Sequence, residues 1–256
     1  MRDARRIQLG SGYATAVTDE GTGPAVVLVH GTPLDQRAWA GLEPLLRGHF
    51  RVVSYDLRGH GTARDCPPTG YPALSHDLIA LLDRLGIDRA HLIGHSYGGQ
   101  VVQTAALAYP ERISALTLVC TRSSPVPAME VAADQIARSD GNRAVTGTLS
   151  RWFSPAAIVA NPPAVRYARS CITDIDEQVW ANALRTIGVY DVAHRLGDID
   201  APVQLVAAEH DAISTPAIMR DMTDRLRHGR LDVLAGAWHM APVESPERLA
   251  EILLRH

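Results

Sequence analysis

The pattern with the sharpest chemical meaning in this chain is a serine with a glycine two residues away on each side, Gly94-His95-Ser96-Tyr97-Gly98. A serine hydroxyl is a weak nucleophile unless it is exposed, oriented and relieved of its proton as it attacks. The segment follows a short apolar stretch, His91-Leu92-Ile93, and precedes a helical one. That context predicts a sharp strand-to-helix turn that lifts Ser96 above a sheet. Such a turn crowds its flanks, and Gly94 and Gly98 supply the small residues it needs. The start of the following helix offers free backbone N–H groups and a positive dipole where an oxyanion would form. The chemistry implied is acyl transfer through a covalent intermediate on Ser96.

Such a nucleophile needs a base, an acid behind the base, and a second oxyanion donor. His30-Gly31-Thr32-Pro33 follows the apolar run Ala25-Val26-Val27-Leu28-Val29. Gly31 permits close backbone approach, so the Thr32 N–H is expected to join the Tyr97 N–H as oxyanion donor. His30 itself is expected to be buried and bonded to backbone. The base comes from eleven histidines. His91 lies within a strand, His95 sits beside Ser96 where neighbours point apart, and His210 borders the candidate acid. His239, in Gly236-Ala237-Trp238-His239-Met240, falls between the last strand and the last helix. That places it at the C-terminal edge of a parallel sheet, where the serine turn also lies. The acid is expected at Asp211, with Glu209 as its rival, giving the chain order Ser, acid, His.

Other residues carry weaker signals. Trp39, Trp152, Tyr190 and Trp238 are candidate substrate contacts, and Phe153 could also line a pocket, although aromatics more often pack in cores. Trp238 and Tyr97 rank highest because each adjoins a reacting residue. Arg122 could meet a carboxylate, but the commoner reading is a solvated side chain. His91 and His95 are four apart, yet they straddle a strand and a turn, so no metal site is expected. Gly21-Thr22-Gly23 has no helix after it and is not a nucleotide loop.

The elements that must position these residues are legible in outline. Residues 5–19 alternate loosely and predict two strands joined at Gly10-Ser11-Gly12. Ala25–Val29, Arg51–Tyr55, His91–Ile93, Ala115–Val119, Pro202–Ala207 and 231–234 predict strands. Helical patterns lie between them at 36–47, Leu74–Leu85 (Ser75 near its start and Gly86 closing it), Ser96–Tyr109, 215–226 and 246–255. Strand and helix alternate, which argues a doubly wound α/β sheet. From about Thr121 to Asp200 the alternation stops, leaving helical segments punctuated by proline. This predicts a helical cap, residues 122–200, inserted between two strands of a core formed by 1–121 and 201–256.

Composition narrows the alternatives. All 25 basic residues are Arg. Without lysine there is no Schiff-base, PLP-linked or Walker-A chemistry. Three widely spaced cysteines, Cys66, Cys120 and Cys171, form no C-x-x-C pair. The formal net charge is −3, with both signs mixed along the chain, which suggests neither a nucleic-acid nor a membrane partner. No apolar run reaches bilayer length, and no apolar run of signal-peptide length follows Met1–Arg6. The chain reads as soluble and cytoplasmic, without a cofactor, and compatible with a homo-oligomer.

His30-Gly31-Thr32-Pro33, Asp56-Leu57-Arg58-Gly59-His60-Gly61, the Ser96 turn, the Asp211 loop and the His239 loop follow one another in a familiar order. Over essentially its whole length the chain resembles the α/β-hydrolase fold family. That resemblance implies a mostly parallel sheet of about eight strands with a helical cap. Arg151-Trp152-Phe153-Ser154-Pro155 and Ile199-Asp200-Ala201-Pro202 resemble the 3-oxoadipate enol-lactonase group and its esterase and cofactor-free perhydrolase relatives. His95 and Tyr97 around the serine, and the His-Gly-x-Pro form at 30–33, depart from the enol-lactonases. Dehalogenases and epoxide hydrolases of this fold place Asp where this chain has Ser96. The function implied is hydrolysis of a small carboxylic ester or lactone. Alternatives on the same three residues are an enol-lactonase, a C–C bond hydrolase, a perhydrolase or a non-enzymatic small-molecule receptor.

Overall fold

A computed structural model describes residues 5–10, 13–66, 69–138 and 142–255. Its centre is an eight-stranded sheet ordered β1-β2-β4-β3-β5-β6-β7-β8. The strands are β1 (Arg5–Gly10), β2 (Tyr13–Glu20), β3 (Ala25–Val29), β4 (Arg51–Tyr55), β5 (Ala90–His95), β6 (Ile113–Val119), β7 (Val203–Ala208) and β8 (Gly229–Leu234). β1 and β2 are antiparallel to each other, β2 is antiparallel to β4, and every later pairing is parallel. Ser11 and Gly12, at the expected joint between β1 and β2, lie outside the described residues.

The parallel strands are the continuous β-branched runs because both of their faces are covered. Val26, Val27, Leu28 and Val29 are all buried. One face packs against α2 (Tyr71–Arg84) and α3 (Tyr97–Ala108). The other packs on Trp39, Leu42 and Leu46 and on the C-terminal helix residues Leu249, Ile252 and Leu253. Each such aliphatic side chain contributes roughly 1.5–3 kcal/mol by leaving water.

Where structure and sequence expectation differ, the causes are local. The helix expected over 36–47 is a 3₁₀ turn, Gln36–Trp39, and a short α1 (Glu43–Leu46). Gly41 separates them, and Pro44 suits only the first turn of a helix. α2 begins at Tyr71, three residues earlier than expected, because Pro72 fits its first turn. Ser75 does not cap it, since its hydroxyl donates to Pro72 O inside the helix. Gly86 ends that helix with φ +63, a backbone state glycine adopts without strain. β5 is twice the expected length because the ladder to β3 continues through Gly94 and the ladder to β6 through His95.

Between β6 and β7 the described residues contain no strand. They form α4 (Ala128–Ala137), α5 (Asn142–Trp152), α6 (Pro155–Ala160), α7 (Pro163–Asp174) and α8 (Glu177–Val189). Ser154 and Asp176 cap α6 and α8 by accepting main-chain N–H groups. The two ends of this insertion are tied together where Val192 N donates to Ser123 O at 2.9 Å. α9 (Pro216–Arg225), α10 (Ala241–Glu244) and α11 (Pro246–Leu253) complete the chain. Among the described residues no helix is long and apolar enough to cross a membrane.

Register brings the loops that carry the candidate residues together. Val29 lies opposite Gly94, and His95 lies opposite Val119. Val119 in turn lies opposite Val206, and Ala208 opposite Leu234. The loops after β3, β5, β7 and β8 therefore leave the same edge of the sheet.

Candidate active site

Ser96 occupies a backbone state that only the turn enforces. Its φ is +52 and its ψ −114, conformational strain that costs about 1–3 kcal/mol in a non-glycine residue. The neighbouring glycines are steric necessities. A Cβ on Gly94 would lie 2.5 Å from Gly98 O, and one on Gly98 would lie 2.2 Å from Val29 O. Thr121 Oγ1 donates to Ser96 O at 2.6 Å and pins the turn from the β6 side.

Asp211 is almost completely buried. Its Oδ1 accepts from Ile213 N (2.7 Å) and Ser214 N (3.0 Å). Its Oδ2 accepts from His239 Nδ1–H at 2.8 Å. A carboxylate only accepts, so this bond fixes the imidazole tautomer and leaves Nε2 as a lone pair. Ser96 Oγ stands 3.1 Å from that Nε2, placed to donate its proton. Burial by itself raises the Asp211 pKa. The charge and hydrogen bond of His239 and the Ser214 and Ile213 N–H donors outweigh it and hold the carboxyl below its usual range. The rival Glu209 is exposed and accepts from Gly236 N at 2.6 Å.

The chain after β3 packs directly on the serine turn. A Cβ on Gly31 would lie 3.2 Å from Ser96 Cβ. The next residue, Thr32, lines the same cavity as Ser96, Tyr97 and His239. Among the described residues neither the Thr32 nor the Tyr97 N–H has an acceptor. His30 is buried as expected, with Nδ1–H donating to Gly31 O and Nε2 accepting from Leu57 N.

That cavity has a volume of about 260 Å³ and lies between the sheet edge and the insertion. Met129, Trp152, Trp180 and Leu184 form its apolar wall. Of the four aromatic candidates, Trp152 reaches it and its ring stacks 6.3 Å from that of His239. The other three are not among the described residues that line it. Trp39 is buried in the cluster on the opposite sheet face, carried there by the 3₁₀ turn. Tyr190 is buried, and its hydroxyl donates to Gln100 O. Trp238 points away and packs on His210, with ring centroids 5.5 Å apart.

Some contributors escaped sequence reasoning. Trp180, Leu184 and Ile187 form one stripe of α8 facing the cavity. Periodicity marks such a stripe as inward but cannot tell cavity from core. Arg122, expected in solvent, is half-buried in the cavity wall and donates to Ser124 O and Ile213 O. Burial lowers its pKa, and the charge of Asp211 opposes that. His95 does not point away from the site. Its Nε2–H donates to His239 O at 2.9 Å and ties down the loop that carries His239. His91 bonds Thr117 Oγ1 instead, so the two do not meet as a ligand pair.

The family model described as the alpha/beta hydrolase family matches residues 26–252. The chain belongs to that family. It is 26% identical over 231 residues to 3-oxoadipate enol-lactonase 1 of Acinetobacter baylyi, covering 90% of this chain and 86% of that one. Among solved structures it superposes on a hydrolase from Pseudomonas aeruginosa with a TM-score of 0.92 at 27% identity, covering 99% and 97% of the two chains. A thermophilic esterase from Thermogutta terrifontis gives 0.89 at 28% identity, with the same coverage. The mostly parallel eight-stranded sheet with its flanking helices is the alpha/beta hydrolase fold, and the family makes this chain a hydrolase.

Proposed function

We propose that this hydrolase cleaves a small carboxylic ester or lactone through an acyl-enzyme on Ser96. One observation carries this reading: the unbroken chain from Asp211 through His239 to the Ser96 hydroxyl, with contacts of 2.8 and 3.1 Å. As Ser96 Oγ attacks the carbonyl carbon, His239 Nε2 takes its proton. Asp211 stabilises the imidazolium that results. The carbonyl oxygen, now negative, receives the N–H groups of Thr32 and Tyr97. The C–O bond to the leaving alkoxide breaks, and His239 returns the proton to it. Water, activated by the same imidazole, then attacks the acyl-enzyme and releases the acid. The apolar walls at Met129, Trp152, Trp180 and Leu184 suit a small hydrocarbon acyl group. The enol-lactonase and the esterase to which the chain is similar support the same bond type.

The test is labelling with a fluorophosphonate and turnover of p-nitrophenyl acetate. Wild type should gain the phosphonyl mass on the Ser96 peptide and hydrolyse the ester. Ser96→Ala should do neither while melting at a similar temperature. A Ser96→Ala protein that still turns over the ester would remove Ser96 from the mechanism.

A further inference from the structure

His60 touches both segments that carry the candidate oxyanion donors. Its Nδ1–H donates to Arg58 O at 2.9 Å, a carbonyl that can only accept, so Nε2 is a bare lone pair. Thr32 Oγ1 lies 2.8 Å from that Nε2, and the Thr32 hydroxyl must therefore be the donor. On its other side the His60 ring stacks on the Tyr97 ring at 6.4 Å and 30°. Burial, helped by neighbouring His30, pushes the His60 pKa down to about 3, so the order of donors and acceptors does not change near neutral pH.

The loop that presents His60 is locked in place. Gly59 and Gly61 have φ of +79 and +49. A Cβ on Gly59 would sit 2.5 Å from Val179 Cγ1 of α8, and one on Gly61 would sit 2.5 Å from Asp56 Cγ. The insertion therefore presses on one side of the loop and the Asp56 carboxylate on the other.

We propose that His60 is a positioning residue for the oxyanion pocket, anchoring Thr32 so that its main-chain N–H, and not its hydroxyl, faces the reacting oxygen. This rests on the serine-hydrolase reading above. A threonine hydroxyl free to rotate would bring lone pairs towards a developing negative charge and loosen the main chain that carries the donor. Tied to Nε2, the side chain is turned away and the N–H is held before the reaction starts. Oriented donors of this kind act without reorganising in the transition state. The ring stacked on Tyr97 restrains the second donor in the same way.

Kinetics of wild type, Thr32→Val, His60→Ala and the double variant decide the matter, read on p-nitrophenyl acetate below the melting point of every protein. Each single variant should lower kcat about tenfold with KM nearly unchanged, as expected for a donor misplaced rather than removed. The double variant should be no worse than His60→Ala alone, because the link that Thr32→Val cuts is already gone in His60→Ala. Thr32→Ser should recover most of what Thr32→Val loses. Additive losses, or a His60→Ala protein that melts lower with kcat intact, would overturn the proposal. Should His60→Ala not fold, nitrogen-15 spectra of the wild-type imidazoles give a second reading. They should show His60 protonated at Nδ1 and bare at Nε2 from about pH 5 to 8, with the Nε2 signal shifting in Thr32→Val. An Nε2-protonated ring would refute the assignment. Failure of the fluorophosphonate to label wild type defeats the enzymatic reading, whereas labelled wild type with additive variants defeats only the role of His60.

Discussion

Replacing Asp211 with asparagine changes one atom and should disable His239 through its tautomer. Oδ1 of Asp211 accepts two main-chain N–H groups, from Ile213 and Ser214. An asparagine must keep its carbonyl oxygen there. The flipped amide would set its NH₂ against two donors, the Ser214 N–H buried and the Ile213 N–H half-buried, costing about 1–3 kcal/mol for each buried one left unpaired. The amide NH₂ therefore faces His239 Nδ1, 2.8 Å away in the parent geometry. Nδ1 becomes the acceptor, and the proton moves to Nε2, directly against Ser96 Oγ. A ring in that tautomer cannot take the serine proton. Restoring the productive tautomer means opposing two donors in a buried site, and the imidazolium also loses its carboxylate. Together these amount to about 4–6 kcal/mol, or a fall in kcat of roughly 10³- to 10⁴-fold. The assay is steady-state hydrolysis of p-nitrophenyl acetate, with circular dichroism and thermal melting to show that the variant is folded. Glu209→Gln, at the exposed rival carboxylate, serves as control and should stay within about twofold of wild type. A folded Asp211→Asn protein that keeps more than about a tenth of wild-type kcat would refute this account of His239.

Further outcomes follow from the same geometry. Gly98→Ala should fail to accumulate as folded protein, since its methyl would overlap Val29 O at 2.2 Å and His30 O at 2.5 Å; soluble yield and circular dichroism read this, and a native melt would contradict it. Asp77→Ala strips the partner from Arg58, whose Nε and Nη2 donate to that carboxylate at 2.5 and 2.8 Å beneath the Tyr13 ring. A loss of about 3 kcal/mol is expected, lowering Tm by roughly 6–12 °C, and an unchanged melt would show the pair to be dispensable. Glu244 is raised by burial to about 7, so its ionisation opposes folding. With the folded pKa above the unfolded one, its contribution to stability is greatest below about pH 4.5 and is lost as pH rises through about 7. Glu244→Gln should therefore melt higher than wild type at pH 8 and level with it at pH 4.5, and parallel melting curves at both pH values would contradict the shift.

Much of this protein can be read from its residues in order. Glycines two before and two after Ser96 announce the turn because no larger residue fits there. Continuous β-branched runs announce strands covered on both faces, and their alternation with helices announces a parallel sheet. The order of strands then implies that Ser96, Asp211 and His239 all leave one edge. The stretch after β6 reads as a set of helical segments because prolines punctuate it and no run in it resembles the β-branched strands of the sheet.

Tertiary structure alone decided which side chains face the cavity. Trp39, Trp152, Tyr190 and Trp238 look alike as isolated aromatics, yet only Trp152 joins the wall. Trp39 was turned to the far side of the sheet by a 3₁₀ turn that Gly41 separates from α1. Trp180 lies on a stripe that would look the same whether it met a core or a cavity. The bonds from His60 to Thr32 and from His95 to His239 link residues 28 and 144 positions apart, and no local pattern encodes such pairs. Backbone propensity and steric size act between near neighbours, so they are written in sequence. Ring orientation and hydrogen-bond partnership depend on what the rest of the fold brings to the same place.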